Sequence, residues 1–295
     1  MGEKSPVVIV NMRARPNICD LSIEWGLNAE ADYTLHYFTF SLYSLMVQFA
    51  LGLGRRLNSD NAPQVQLKFV NLPAQENLGE EYLTRVNSKG QVPTLTSALL
   101  PSGLSDSHQI AKWLCDKQPE LVPAAHKETI DGLMEKLYKF HLKALSIQPE
   151  AAANGLPNVA AAMLENASIS ETHRRALEIK SIFHDTLHSR TIEAEHIEQV
   201  ERHVSALMAE LASIIEEHRT EDSRWIFGRQ PTILDAYASA LMIRLLDNGR
   251  RELLPATVQA YAEAVQASEE WHQVTQGRRT VYEGSMGPAS DVDVK

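Results

Sequence analysis

Two short stretches hold side chains whose types and spacing could do chemistry. In the first, Phe38-Thr39-Phe40-Ser41-Leu42-Tyr43-Ser44, the hydroxyls of Ser41, Tyr43 and Ser44 lie between a β-rich run and the start of a helical one. A strand that feeds a helix through a polar loop places such hydroxyls at the helix N-terminus, where unpaired N–H groups and the helix dipole favour negative charge. Serine is also a favoured helix cap, so the loop by itself leaves Ser41 either a cap or an anion contact. The second stretch is Asn87 to Leu114, NSKGQVPTLTSALLPSGLSDSHQIAKWL. It passes through Val92-Pro93 into a β-branched run and turns at Pro101-Ser102-Gly103. It then reaches Ser105-Asp106-Ser107, a polar cap for a helix with Ile110, Ala111, Leu114 and Cys115 on its apolar face. A proline that opens a strand beside a loop is a candidate cis peptide, because X-Pro bonds tolerate cis far better than other bonds.

The elements that must position these groups follow from periodicity. Tyr33 to Phe38 is rich in β-forming residues and reads as a strand. Leu42, Leu45, Met46, Phe49, Ala50 and Leu53 recur at helical spacing, and Gly52, Gly54 and Arg55-Arg56 close that helix. A Pro/Asn/Ser linker over residues 57–66 leads to a second strand, Leu67 to Leu72, and Glu76 to Val86 is expected to form a short helix. Strand, helix, strand, hairpin and helix is the order of a thioredoxin-like domain ending near Gln118-Pro119. Beyond Pro123 the pattern is helical throughout. Ile130 to Leu145 carries one apolar face, Pro149 to Pro157 is expected to be a loop, and a long helix is expected from Ile192 to His218. Thr232 and Asp235 have capping-box spacing at the start of a helix Ile233 to Leu246. Residues 1–32 are expected to be an extension that packs on the outside through Trp25. The polar segment Tyr282 to Lys295 is expected to be a loose tail.

Composition narrows the partners. The 28 basic and 38 acidic residues give a net charge of -10, which argues against a nucleic-acid groove or an anionic membrane. No apolar run is long enough to span a bilayer, and Met1 to Pro6 does not open a signal peptide. Cys19 and Cys115 are far apart with no C-x-x-C, so a reducing, cytoplasmic location is the default expectation. His184 and His188 have the i, i+4 spacing of helical metal ligands, but no H-E-x-x-H pattern and no third ligand accompany them, so no metal is assigned.

On the residues quoted, the chain resembles the glutathione transferases. The match is to the serine-type members in the Ser41 loop and to the glutathione-binding half-domain at Val92-Pro93 and Asp106-Ser107. The resemblance implies an α/β thioredoxin-like N-terminal domain (residues 33–120) and an all-α C-terminal domain (127–282), with a tail at 283–295. It further implies glutathione as cosubstrate, a small electrophile between the domains, and a homodimer. Ser41 would donate to the glutathione sulfur and stabilise the thiolate, with Tyr43 or Ser44 able to take that role. Hydrogen bonding to the charged form and a helix N-terminus both lower a thiol pKa, and the thiolate is the nucleophile. By the same resemblance Val92 would pair its backbone with the cysteinyl residue of glutathione beside Pro93. Asp106 and Ser107 would hold the γ-glutamyl end, while Gln91 and Lys89 would reach the peptide backbone and glycine carboxylate. Lys89 reads equally as a solvated loop charge. Glu76 and Asn77 stand near the glycine end, and Tyr138 and His141 face either the electrophile pocket or water. Three functions follow: conjugation, glutathione-dependent cis-trans isomerisation, or a non-catalytic binding module on the same fold. The isomerases carry Ser-Ser-Cys where this chain has Ser41-Leu42-Tyr43. The segment Leu245 to Pro255 resembles fungal-type transferase-like enzymes of secondary metabolism.

Overall fold

The computed structural model describes residues 31–146 and 155–292. The proposed extension up to residue 30, with Trp25, and most of the Pro149 to Pro157 loop lie outside the described residues. β1 (Tyr33–Tyr37) is followed by α1 (Leu42–Leu57) and β2 (Val65–Phe69), the latter parallel to β1 with Leu35 opposite Leu67. β3 (Thr94–Thr96) pairs antiparallel on the other edge of β1, with Leu35 opposite Leu95, which gives the order β2-β1-β3. Parallel neighbours need a crossover, and α1 supplies it. The expected hairpin after β3 is reduced to one bridged pair, Leu95 and Leu104. The return strand stops there because Asp106 already caps α2 (Ser107–Lys117).

Two other elements depart from their expected form. Glu76 to Val86 is not one helix but a 3-10 turn (Glu76–Leu78) and a π turn (Tyr82–Val86), separated at Gly79, whose backbone is extended. The helix expected from Ile130 to Leu145 ends early as α3 (Lys127–Tyr138) and restarts as α4 (Lys143–Ser146). The break has a tertiary cause: the Leu142 N–H donates to the Tyr43 hydroxyl at 3.1 Å and so leaves the helical ladder.

The remaining helices are α5 (Val159–Leu164), α6 (Glu171–Phe183), α7 (Ala194–Glu217), α8 (Ile233–Asp247), α9 (Ala256–Gln266), α10 (Glu269–Thr275) and α11 (Ala289–Val292). α8 is buried on every side from Ile233 to Leu245, which only an apolar helix with satisfied ends tolerates. Its start is held by Asp235, which accepts from the backbone N–H groups of Thr232 and Ile226, each at 2.7 Å, and from the Tyr261 hydroxyl at 2.7 Å.

One apolar cluster runs from Leu35 and Phe49 through Leu241 to Trp271, so the helical part shares its core with the sheet part. Polar links reinforce the seam: the Tyr237 hydroxyl donates to the Ser107 carbonyl at 2.8 Å, and Arg244 donates to the Phe40 carbonyl at 2.7 Å. The segment expected to be a loose tail is instead folded back as far as residue 292. The Tyr282 ring lies 5.3 Å from that of Phe40, and Ala289 is buried in a cluster with Phe38, Phe40 and Val92. Its polar composition hid a few apolar anchors that find a ready-made aromatic face.

Candidate functional site

Ser41 caps α1 with an extended backbone, and its Oγ accepts from the Ser44 N–H at 3.3 Å. The oxygen is thereby engaged as an acceptor while its proton remains available to donate. Ser41 opens onto a cavity of about 390 Å3 together with Tyr43, Gln91 and Val92. The Tyr43 oxygen likewise accepts, from Leu142 N–H, and burial raises its pKa, so it stays protonated and able to donate. Ser44 is different. It is fully buried, and its Oγ accepts from the Phe38 N–H at 3.3 Å, fixing the strand-to-helix turn and facing neither cavity.

The loop before β3 is pinned by side chains on its carbonyls. Asn77 donates to the Gly90 carbonyl at 2.8 Å, and Tyr82 and Asn87 donate to the Gln91 carbonyl at 2.7 and 3.0 Å. Gly90 is required at its position: φ is +56°, and a Cβ would lie 3.0 Å from the Asn77 carbonyl oxygen. The Val92-Pro93 peptide is cis. Among the described residues neither backbone group of Val92 enters a hydrogen bond, so it offers an open edge to an extended peptide.

A second cavity of about 260 Å3 continues from the first, sharing Tyr43, Gln91, Val92 and His141 with it. Its far wall is Pro93, Asp106, Ser107 and Tyr138. The exposed carboxylate of Asp106 caps α2 through one oxygen, which accepts from the N–H groups of His108 and Gln109 at 2.9 and 3.2 Å. The buried Ser107 hydroxyl shares a hydrogen bond of 2.9 Å with the Tyr138 hydroxyl, and His108 stacks on the Tyr138 ring at 4.4 Å. Tyr138 thus faces the Asp106 end of the site.

The fold therefore brings Ser41, Tyr43, Gln91, Val92, Pro93, Asp106 and Ser107 to two joined cavities. It does not bring Lys89: that side chain is exposed and lines neither cavity, because the loop turns its carbonyl inward to accept from Lys180 at 2.5 Å. Glu76 folds back on the preceding loop, accepting from the Asn71 N–H at 2.7 Å, and lines neither cavity. His141 reaches both cavities and packs edge-on to Tyr43 at 6.2 Å. Sequence reasoning missed the basic wall of the larger cavity, formed by Lys143, Lys180, His184 and His188. A signal existed: Lys180, His184 and His188 recur every four residues and so share one helical face.

A thioredoxin-like sheet whose cis-proline loop and helix cap open onto an all-helical second part is the architecture of the glutathione transferases. Compared as a sequence, the chain matches no family model and no curated protein. Compared as a structure, it has the glutathione transferase fold. It is similar to the β-etherase LigF from Sphingobium sp. strain SYK-6, with a TM-score of 0.58 at 16% identity over 84% of this chain and 100% of that one. It is also similar to glutathione transferase F7 from Populus trichocarpa, with a TM-score of 0.53 at 14% identity over 83% of this chain and 98% of that one. A third is a glutathione transferase family member from Pseudomonas fluorescens pf-5, whose structure holds two glutathione molecules. There the TM-score is 0.51 at 16% identity, over 85% of this chain and 95% of that one.

Proposed function

We propose that this protein is a glutathione-dependent transferase in which Ser41 stabilises the thiolate of glutathione for attack on a small electrophile in the larger cavity. The observation that carries this reading is the Ser41 hydroxyl at the N-terminus of α1, its oxygen occupied by Ser44 N–H, facing the same cavity as the unpaired Val92 backbone. Glutathione laid along Val92 with its γ-glutamyl end at Asp106 and Ser107 brings its sulfur toward Ser41 and Tyr43. A hydroxyl donor and a helix N-terminus both favour the thiolate, so the thiol loses its proton to solvent near neutral pH. Tyr43 adds a second donor from the same loop.

The test is a glutathione titration of the whole chain, wild type and Ser41→Ala, following heat of binding and the ultraviolet absorption of thiolate. Binding with a thiolate signal that disappears in S41A is the expected result. A signal intact in S41A moves the role to Tyr43. Absence of binding overturns the enzyme reading and leaves a binding module on a glutathione transferase fold.

A further inference from the structure

The larger cavity is lined by Lys143, Lys180, His141, His184, His188 and Arg244, and among the described residues by no aspartate or glutamate. In a chain of net charge -10 this is a local reversal of sign. Some of these cations have internal work. Arg244 donates to the carbonyls of Phe40 and Thr280 at 2.7 and 2.6 Å, and Lys180 donates to the Lys89 carbonyl. Others do not. Lys143 has His188 Nε2 as its polar neighbour and, among the described residues, no carboxylate, while Nδ1 of that ring is enclosed by protein with no hydrogen-bond partner among them. His184, whose side chain is 9% exposed, meets the outward-pointing Asp185 through Nδ1, and its Nε2 is enclosed by protein without a partner among the described residues.

The ammonium of Lys143, with an imidazole and no carboxylate beside it among the described residues, is expected to find its counter-ion in what occupies the cavity. Burial with no counter-ion also disfavours the charged forms, and Lys143 is lowered to about 7 and Lys180 to about 8. A bound anion reverses both effects.

Resting on the glutathione reading, we infer that the electrophile taken by this protein carries a carboxylate or another oxyanion, held by Lys143, whose amine His188 positions. Glutathione has a glycine carboxylate of its own, and position separates the two. The backbone of Lys143 follows Leu142, whose N–H is bonded to the Tyr43 hydroxyl, so it starts from the end of the cavity where the sulfur would react, and its amine reaches His188. Lys180 is tied to the Lys89-Gly90 loop and stands on the peptide side.

The test pairs 4-chloro-3-nitrobenzoate with its methyl ester at saturating glutathione. In both, the thiolate forms a C–S bond at the ring carbon, the C–Cl bond breaks and chloride leaves, so only the anionic group differs. Each kcat/KM is divided by the uncatalysed rate constant for the same electrophile. The expected result is at least a tenfold preference for the acid in the wild type. Lys143→Gln is expected to abolish it, and His188→Asn to weaken it, with KM for glutathione changed less than twofold. Equal use of acid and ester by the wild type overturns the inference, whatever the variants do. So does a Lys143→Gln chain that loses glutathione affinity and keeps the preference, because the anion is then the glycine carboxylate. If glutathione neither binds nor forms thiolate, the transferase reading fails separately. The anion site is then read by calorimetry of 3-nitrobenzoate against methyl 3-nitrobenzoate without glutathione. Acid-selective binding lost in Lys143→Gln sustains it, and equal or absent binding overturns it.

Discussion

The two joined cavities are built by different means. The smaller is framed on one side by a contiguous motif, from Gln91 to Ser107, whose polar groups are backbone and short side chains held by local caps and turns, and closed by Tyr43 and by Tyr138 to His141. The larger is assembled from the α1 cap, the Gly90 loop, α4, α6 and the turns after it, and its polar contacts are long cationic side chains from separate elements. The contrast teaches a division of labour. A peptide with a fixed backbone is suited to a fixed, locally encoded edge, whereas a variable electrophile is suited to a wall that distant segments can change without disturbing the first.

Substitutions can break this contrast. The largest expected effect is on chemistry: Ser41→Ala reduces the conjugation rate by roughly 100-fold or more, the scale of losing one preorganised donor to developing negative charge. Ser44→Ala, three residues away, leaves thiolate formation intact. It lowers stability by about 1–2 kcal/mol in denaturant unfolding, since it orphans the buried Phe38 N–H. A Ser44 variant that lost the thiolate signal would overturn the separation of the two serines.

On the peptide side, Asp106→Ala is expected to raise KM for glutathione by roughly tenfold with kcat little changed, the signature of binding lost equally in ground and transition states. It also lowers thermal stability, because the α2 cap is worth about 1 kcal/mol. At the seam between the two parts, Arg244→Met leaves the buried Phe40 and Thr280 carbonyls without their donor. It should cost about 2–4 kcal/mol in denaturant unfolding, with both parts unfolding together because they share a core. A change under 1 kcal/mol would show that water replaces the guanidinium.

The smallest effect is a pH dependence. His36, on the central strand β1, has its pKa lowered to about 4, first by burial and then by the Lys68 charge. The unfolded ring titrates near 6.5, so between those values the unfolded chain binds more protons, and stability falls as pH drops from about 6.5 toward 4. His36→Gln is expected to flatten that part of the curve. An unchanged slope would assign it to other groups.

Much of the smaller cavity is legible in the sequence because it is local. Val92-Pro93, the turn at Pro101 to Gly103 and the Asp106 cap are each encoded within a few residues, and α1 and α7 announce themselves by their apolar period. Lys89 shows the limit of such reading: its place in the loop is legible, but the inward turn of its carbonyl depends on Lys180, ninety-one residues further on. The same limit hid the break between α3 and α4, since a helical pattern cannot register that Tyr43 will claim the Leu142 N–H. It hid the folded tail as well, whose Tyr282 and Ala289 matter only once Phe38 and Phe40 present a face.

By itself the sequence determined which hydroxyls and caps stand at the strand-to-helix turns, because periodicity, caps and turns act over one or two turns of chain. Only the tertiary structure decided that Ser41 faces a cavity and Ser44 the core, and that Lys143, Lys180, His184 and His188 gather into one wall. Side-chain direction around a shared core is set by packing between segments far apart in sequence, and no local pattern carries that information.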